Sequence, residues 1–192
     1  MVKSCLLFFA VAASGCLGRI ESTSSIRTLP FHEHQETMSE YPAVSSQPPP
    51  ALSVSTTVTF EPFIAYYPLP VGFAATDPAY NEAGTWAPIT IEPTPEEALR
   101  RWFERNVHGG VGPRRVVRAV VTDFQWYMIG FKLNAGRIVS QLVVTDDQGV
   151  VLYSGTQLTR ARVAFVDGLF RAHLRAWLSD PKLVAVLQGG TP

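Results

Sequence analysis

This sequence has few cysteines and no net charge. Its 192 residues include two cysteines, Cys5 and Cys16, and its formal net charge at pH 7 is +0. So few thiols exclude a fold held together by several disulfides. Balanced charge argues against a nucleic-acid-binding protein, because such proteins gain affinity by neutralising phosphates with basic residues. The composition, with 46% hydrophobic and 17% charged residues, is that of one globular domain of ordinary size.

The usual motifs of catalysis and metal binding are missing as well. The chain has no Gly-x-Ser-x-Gly nucleophile elbow and no His-Glu-x-x-His zinc motif. His32 and His34 lie in a polar segment without the further ligands that a metal needs, so we predict no metal site. The sequence therefore predicts a non-enzymatic protein without a cofactor. A hydrolase with an unrecognised site is the alternative, and convergence of His108, Asp123 and His173 in one pocket would favour it.

Residues 1–15 have the pattern of a secretory signal. Lys3 gives a basic start, residues 6–13 are apolar, and the small residues Ser14 and Gly15 directly precede Cys16. The apolar run is too short to cross a bilayer as a permanent helix. Removal of the signal would leave Cys16 as the only thiol of the mature chain, without an intramolecular disulfide partner.

The end of this signal, Ala-Ser-Gly-Cys at residues 13–16, resembles the bacterial lipobox. The family usually has leucine where this chain has Ala13. The resemblance implies that the thiol of Cys16 receives diacylglycerol and that the acylated cysteine becomes the first residue of the mature protein. A triacylated cysteine would anchor the chain durably, because two or more acyl chains hold a protein stably at a bilayer. The alternative is an ordinary secretory signal with an incidental cysteine.

The remaining chain divides by composition into three parts. Residues 16–53 are rich in serine and proline and lack a sustained apolar period, which predicts a lipid-anchored linker. Residues 54–188 carry the periodic apolar patterns of an α+β globular domain, and residues 189–192 are a loose C-terminus.

Within the domain, the pattern predicts a mostly antiparallel four-stranded sheet with two helices packed on one face. Thr94, Pro95 and Glu97 form a capping box that begins the first helix, and a type I turn at residues 146–149 closes the clearest hairpin. The other predictions are strands at 56–60, 115–121 and 124–131, a short one at 89–91, hairpin strands at 137–145 and 150–156, a helical stripe from 166 to 178, and a last turn at 182–187.

The aromatic, proline-studded segment from about residue 63 to residue 86 has two interpretations. Because proline cannot donate to a sheet ladder, we predict no central strand here. The aromatic rings either pack back onto the domain or form a contact surface for a partner. On the second interpretation Tyr66, Tyr67 and Trp86 are the partner-binding candidates. His173, on the apolar stripe of the second helix, is predicted to be a half-buried packing residue.

The order of these elements resembles two groups of Gram-negative envelope lipoproteins, the YajG-like lipoproteins and the ABC-type transport auxiliary lipoproteins. The resemblance depends on the strand at 116–123, the hairpin at 146–153 and the terminal helix running into residues 178–181. It implies a non-catalytic accessory of a transport or trans-envelope complex, with a protein partner and no nucleic acid. Leu17 after the cysteine favours the periplasmic face of the outer membrane. Partner identity and oligomeric state stay open.

Overall fold

The computed structural model describes residues 19–22, 27–28, 41–44, 47–67, 72–76, 85–129, 133–163 and 165–190. Cys16, the predicted signal and the pair His32 and His34 lie outside these residues. Several strand segments are described by their backbone alone, and the side chain of Trp86 is among those that are left out.

Eleven strands and three helices occupy the described residues. The strands are β1 (Arg19–Ser22), β2 (Arg27–Thr28), β3 (Leu52–Ser53), β4 (Thr56–Phe60), β5 (Ile64–Ala65), β6 (Gly72–Thr76), β7 (Thr85–Glu92), β8 (Val107–His108), β9 (Gly112–Ile129), β10 (Leu133–Thr145) and β11 (Val151–Val163). The helices are α1 (Pro95–Asn106), α2 (Val166–Leu178) and α3 (Pro181–Leu187).

The main sheet is larger and more mixed than the sequence predicts. Its strands follow the order β1-β7-β6-β9-β10-β11, and a separate pair, β3 with β8, is parallel. β9, β10 and β11 pair antiparallel, whereas β4, β5 and β6 all run parallel to β9. The α+β class is confirmed. The prediction of a four-stranded, mostly antiparallel sheet is wrong, because it omits the strands that lie between residues 64 and 88.

Two of the omitted strands, β5 and β6, fall between the prolines of the aromatic segment. β4, β5 and β6 form one interrupted row beside β9, and each of them is free of proline. Pro62 separates the first two strands, and Pro68 and Pro70 precede the third. In β7, Pro88 lies between the residues that pair with β1 and those that pair with β2, so its missing N–H interrupts neither of these pairings. Pro88 is also the register partner of Gly72, the first residue of β6, so it lies at the end of the β6–β7 pairing. The prediction that prolines exclude a central strand here is therefore wrong for β6.

The β10–β11 hairpin forms where the sequence predicts it. The backbone N–H of Gly149 donates to the carbonyl of Asp146 over 3.3 Å, and Gly149 has a φ of +84°. The Asp146 carboxylate also accepts from the N–H groups of Gln148 and Val150, at 2.9 and 2.8 Å. A glycine is favoured at a positive φ because it has no Cβ, which explains the aspartate-to-glycine pattern of this turn.

The helices pack on one face of the sheet. Phe103 of α1 lies 5.8 Å from Phe63, and Phe170 of α2 stacks on Phe124 of β9, also at 5.8 Å between ring centroids. Gly136 of β10 allows the closest approach of α2, because a Cβ there would lie 2.6 Å from Cδ2 of Leu169. The prediction that helices cover a single face is thus confirmed for α1 and α2.

Helix α1 begins where the sequence predicts, but the predicted capping hydrogen bonds are not made. Thr94 is the N-cap and Pro95 the first helical residue, yet the Thr94 side chain makes no capping hydrogen bond. Glu97 does not reach back to the cap, because its carboxylate accepts from Arg100 and Arg101 on the next turn. These two guanidinium groups lower the pKa of Glu97 to about 2, with the Arg100 hydrogen bond as the largest cause.

The last turn predicted at residues 182–187 is a third helix, α3, which the two-helix prediction does not count. Asp180 caps α3 by accepting from the backbone N–H of Lys182 at 2.8 Å. Its carboxylate also accepts from the Tyr153 hydroxyl at 2.5 Å, and this bond is the largest cause of its lowered pKa. Leu183 and Leu187 of α3 are buried in the main core.

Part of the predicted linker also contacts the folded domain. Tyr41 is buried, and the carbonyl of Pro42 accepts from the backbone N–H of Arg162 on β11 at 2.9 Å. Further along, Leu52 pairs in parallel with Val107. The described end of this segment, residues 47–53, therefore lies against the domain instead of extending away from it.

Candidate interaction surface

The two faces of the main sheet differ in what covers them. On β9 the side chains of Val117, Ala119 and Val121 are buried on the helix-covered face. Side chains alternate along a strand, so Arg118 and Val120 point to the opposite face. No described helix packs on that opposite face, which we call the open sheet face.

A bulge in β9 shifts the inward-facing positions from odd-numbered to even-numbered residues. Val139 pairs with Asp123 whereas Ser140 pairs with Val121, so Thr122 is an extra residue on β9. An extra residue reverses which positions point inward. Phe124 is therefore buried under the helices, and Asp123 lies beside Val139 on the open sheet face.

An apolar strip crosses the open sheet face. We define it by five side chains: Ile64, Tyr66, Val120, Val139 and Leu158. Ile64 is the register partner of Val120, and Leu158 is the partner of Val139. The two pairs are diagonal neighbours, because Val120 pairs with the exposed Gln141 and Val139 pairs with Asp123. Ile64 is 61% exposed, Tyr66 80% and Leu158 41%, whereas the two valines are half-buried. Large apolar side chains that share one exposed face mark an interaction site more often than isolated ones do.

Two ion pairs border the apolar strip. Arg118 binds Glu61 in a bidentate manner, with N–O distances of 2.6 and 2.8 Å, and this hydrogen bond is the largest cause of the lowered pKa of Glu61. Arg137 Nε lies 2.9 Å from Oδ2 of Asp123. Each pair is neutral as a whole, so the strip has an apolar centre and a balanced polar rim, as protein interfaces do.

The three aromatic residues that the sequence singles out lie in different environments. Tyr66 projects from the open sheet face. Tyr67 is half-buried on the other side, where its hydroxyl donates to Oε2 of Glu96 at 2.8 Å and its ring lies 6.4 Å from that of Phe124. Desolvation, followed by that hydrogen bond, raises the pKa of Tyr67. Trp86 is in β7, where its backbone pairs with Ala74 and its side chain lies outside the described part.

His173 is completely buried, and not half-buried as predicted. Its Nε2 lies 2.7 Å from Oγ of Ser140, and its Nδ1 lies 2.7 Å from Oγ1 of Thr159. The indole N–H of Trp177 donates to the same serine oxygen at 3.0 Å. Desolvation lowers the pKa of His173 to about 3, so the ring is neutral at physiological pH, with one nitrogen donating and the other accepting.

Ser140 and His173 are residue types that can act as a nucleophile and its base, but their burial does not suit that role. Ser140 and His173 each have 0% of their surface exposed, so no substrate reaches them in this conformation. The cluster instead satisfies polar groups beneath α2, where unpaired ones would be costly. Asp123 pairs with Arg137, and His108 is exposed on β8. The three residues whose convergence would have favoured a hydrolase therefore make no common cluster.

Two further features of the described residues bear on the sequence predictions. Within those ranges, no group of three or more histidine, cysteine, aspartate or glutamate side chains is arranged to hold a metal ion. Among the described helices, none is both long and apolar enough to pass through a bilayer.

Sequence reasoning missed most of the apolar strip. The nearly continuous apolar run Val116-Val117-Arg118-Ala119-Val120-Val121 predicts a strand but not a partly exposed face, although its single arginine marks the positions that face outward. The partners of His173 were missed too. Their signal was Ser140, a polar residue in the inward positions of β10 between the buried Ile138 and Leu142.

Comparisons with known proteins give a weak structural likeness. A solved structure described as a Xanthomonas campestris protein of family DUF330 is 12% identical, with a TM-score of 0.34, and the match covers 73% of this chain and 92% of that one. Another, described as an uncharacterized protein, is 11% identical, with a TM-score of 0.35 and coverages of 72% and 97%. No protein-family model matches the chain, and no curated protein is significantly similar to it. The resemblance to YajG-like and transport auxiliary lipoproteins thus stays a prediction.

Proposed function

We propose that this chain is a non-catalytic envelope lipoprotein that binds a protein partner through its open sheet face. On this proposal, acylated Cys16 holds the domain at the periplasmic face of the outer membrane. The domain then serves as a binding or assembly accessory of a transport or trans-envelope complex.

The main observation in favour of binding is that two large side chains are exposed, one on β5 and one directly after it. Ile64 and Tyr66 are 61% and 80% exposed, while their neighbours Phe63 and Tyr67 turn inward. Exposing a large apolar side chain to water forgoes the favourable free energy of burying it, about 1.5–3 kcal/mol. A partner that covers both side chains would recover that free energy.

The chemistry of the strip favours a protein over a charged ligand. Its two bordering ion pairs leave no excess charge, and a tyrosine lies at its β5 end, the residue type that is enriched at protein-binding hot spots. The burial of Ser140 and His173 supports a binding role over the hydrolase alternative, because hydrolysis needs a nucleophile that substrate can reach.

Replacement of Tyr66 with alanine is the first test of this surface. We expect Tyr66→Ala to reduce capture of the partner at least about tenfold, because Tyr66 is the most exposed side chain of the strip and truncating a hot-spot tyrosine costs about 1.4 kcal/mol of binding free energy or more. Capture is measured by chemical crosslinking in envelope membranes of the native host, followed by quantitative mass spectrometry. The melting temperature should stay the same, since the side chain is 80% exposed.

Two matched variants distinguish loss of the binding surface from loss of any exposed side chain and from loss of stability. Val111→Ala removes an apolar side chain that is fully exposed but lies before β9, away from the strip, and it should leave capture unchanged. Tyr67→Phe removes the hydrogen bond to Glu96 and should lower the melting temperature without reducing capture. Equal capture by the Tyr66→Ala variant and the unaltered protein would refute a role for the strip.

A further inference from the structure

The segment predicted to be a linker contributes two strands to the main sheet. β1 is the first strand in the order of that sheet, and its first residue, Arg19, lies opposite Glu92 of β7. β2 pairs with the other end of β7, where Arg27 lies opposite Trp86. The chain is therefore already part of the sheet at residue 19, although the predicted domain begins only at residue 54. We call β1 and its pairing partners, residues 89–92, the β1–β7 edge.

Later parts of the predicted linker contact the domain as well. Tyr41 is buried, and the carbonyl of Gln47 accepts from the guanidinium of Arg175 on α2 at 2.6 Å. β3 then pairs in parallel with β8, directly after α1. The described parts of this segment thus follow the domain surface. A linker that is bound in this way adds no reach between a membrane anchor and the domain.

The covalent path from Cys16 to the sheet is short. Arg19 follows Cys16 by three positions, and an extended chain spans at most about 3.6 Å per residue, so their Cα atoms lie no more than about 11 Å apart. Acyl chains on Cys16 would keep that residue at the level of the lipid headgroups, because the chains themselves must stay in hydrocarbon. A free linker from residue 16 to residue 53 would instead have an r.m.s. span of roughly 35 Å.

The residues of these strands suit a headgroup layer better than the hydrocarbon beneath it. β1 has the sequence Arg-Ile-Glu-Ser and β2 has the sequence Arg-Thr. Arginines close to a bilayer surface are attracted to anionic lipids, at about 1 kcal/mol for each residue. An edge of this composition therefore stays in contact with headgroups without entering the bilayer.

We propose that the β1–β7 edge docks against the lipid headgroups of the membrane that anchors the chain. The docking depends on the acylation of Cys16 proposed above. The end of the edge where Arg19 meets Glu92 lies nearest to the bilayer, and the rest of the predicted linker follows the domain instead of extending it away from the membrane.

This placement also brings the apolar strip close to the membrane. Ile64 of the strip lies in the row of strands beside β9, and the backbone N–H of Tyr66 donates to the carbonyl of Val121 in β9. That row is the second from β1, roughly 10 Å away across the sheet. The protein that binds the strip must therefore present its binding segment near the membrane surface.

Quenching by labelled lipids tests the position of the β1–β7 edge. Acylation consumes the thiol of Cys16, so Glu92→Cys gives the mature protein a single reactive thiol for a fluorescent label, at an exposed position. The acylated protein is purified from the native host and reconstituted in vesicles of phosphatidylethanolamine and phosphatidylglycerol that carry nitroxide on some headgroups. We expect quenching at least about twofold stronger at position 92 than in Ser53→Cys, because residue 53 pairs beyond the other end of α1, which is about 18 Å long.

Two insertions of equal length serve as a matched pair. A Gly-Ser insertion of about twelve residues between Leu17 and Gly18 lengthens the path from the anchor to β1, so it should reduce quenching at position 92 at least about twofold. The same insertion between Ser45 and Ser46 comes after β1 and should leave that quenching unchanged. The melting temperature shows whether each variant is folded, and intact mass shows whether it carries acyl chains.

A free tether predicts the opposite results, because both insertions would lengthen it equally. Equal effects of the two insertions, or stronger quenching at position 53 than at position 92, would overturn the docking while leaving the lipid anchor in place. A chain whose Cys16 carries no acyl groups would overturn the anchor itself and the docking with it. Intact mass thus distinguishes the two failures.

Discussion

Acidification from pH 7 to pH 5 should lower the free energy of unfolding by about 2 kcal/mol through His173 alone. The folded state holds this histidine neutral, with a pKa of about 3, because burial penalises the charged ring. In the unfolded chain the ring regains its ordinary pKa of about 6.5 and takes up a proton as the pH falls. The unfolded state then binds more protons than the folded state, so stability is lost between pH 6.5 and pH 3.

Urea denaturation at a series of pH values measures this effect. The window from pH 7 to pH 5 isolates the histidine, because the carboxylates with lowered pKa values, such as Glu97 and Asp180, lose their contributions only at lower pH. Replacing His173 with glutamine should flatten the dependence in that window, although the variant is less stable throughout. His108→Gln, which changes an exposed histidine, should keep the full slope. An unchanged slope in the His173→Gln protein would contradict the assignment.

Loss of the thiol at position 16 should release the protein from the membrane. In Cys16→Ala the acyl acceptor is gone, so we expect unprocessed precursor or a soluble domain in place of the anchored protein. A stable anchor needs two or more acyl chains, and the triacylated cysteine would supply them. The measurement is the share of protein in the membrane fraction after cell lysis, determined by immunoblotting in the native host.

The other cysteine supplies the matched control for this experiment. Cys5 lies within the segment that processing would remove, so Cys5→Ala should leave both processing and membrane association unchanged. Retention of processed Cys16→Ala protein, without its signal, in the membrane fraction at the level of the unaltered protein would argue that another part of the chain holds it there.

The sequence predicted those elements whose signals are local. Thr94 and Pro95 mark the start of α1 because capping preferences act over a few residues, and the turn from Asp146 to Gly149 needs a glycine at a positive φ. The inward stripe of α2, including Leu169 and Trp177, follows from helical periodicity.

The sheet could not be predicted because its pairing is non-local. β4, β5 and β6 are short, and the longer strand β9 supports each of them from more than 45 positions further along the chain. Local propensity does not report such a pairing, so the prolines of the segment after β4 argue, from sequence alone, against a central strand there.

Only part of the candidate surface could be predicted, again because the exposure of a side chain depends on tertiary contacts. Aromatic composition pointed to Tyr66 and Tyr67 together, but adjacent residues in an extended chain face opposite ways. Which of the two is exposed depends on the side of the sheet that α1 covers, and Glu96 of that helix is what engages Tyr67. The same dependence on tertiary context hid the burial of His173, whose partners come from two strands that are far away in sequence.

The central claim is that a lipidated cysteine anchors this domain, and intact-mass spectrometry of protein purified from the native host tests it most directly. The account predicts a mature chain that begins at residue 16 and carries the added mass of three acyl chains. A mature chain with an unmodified thiol at that position, or one that begins elsewhere, would contradict it.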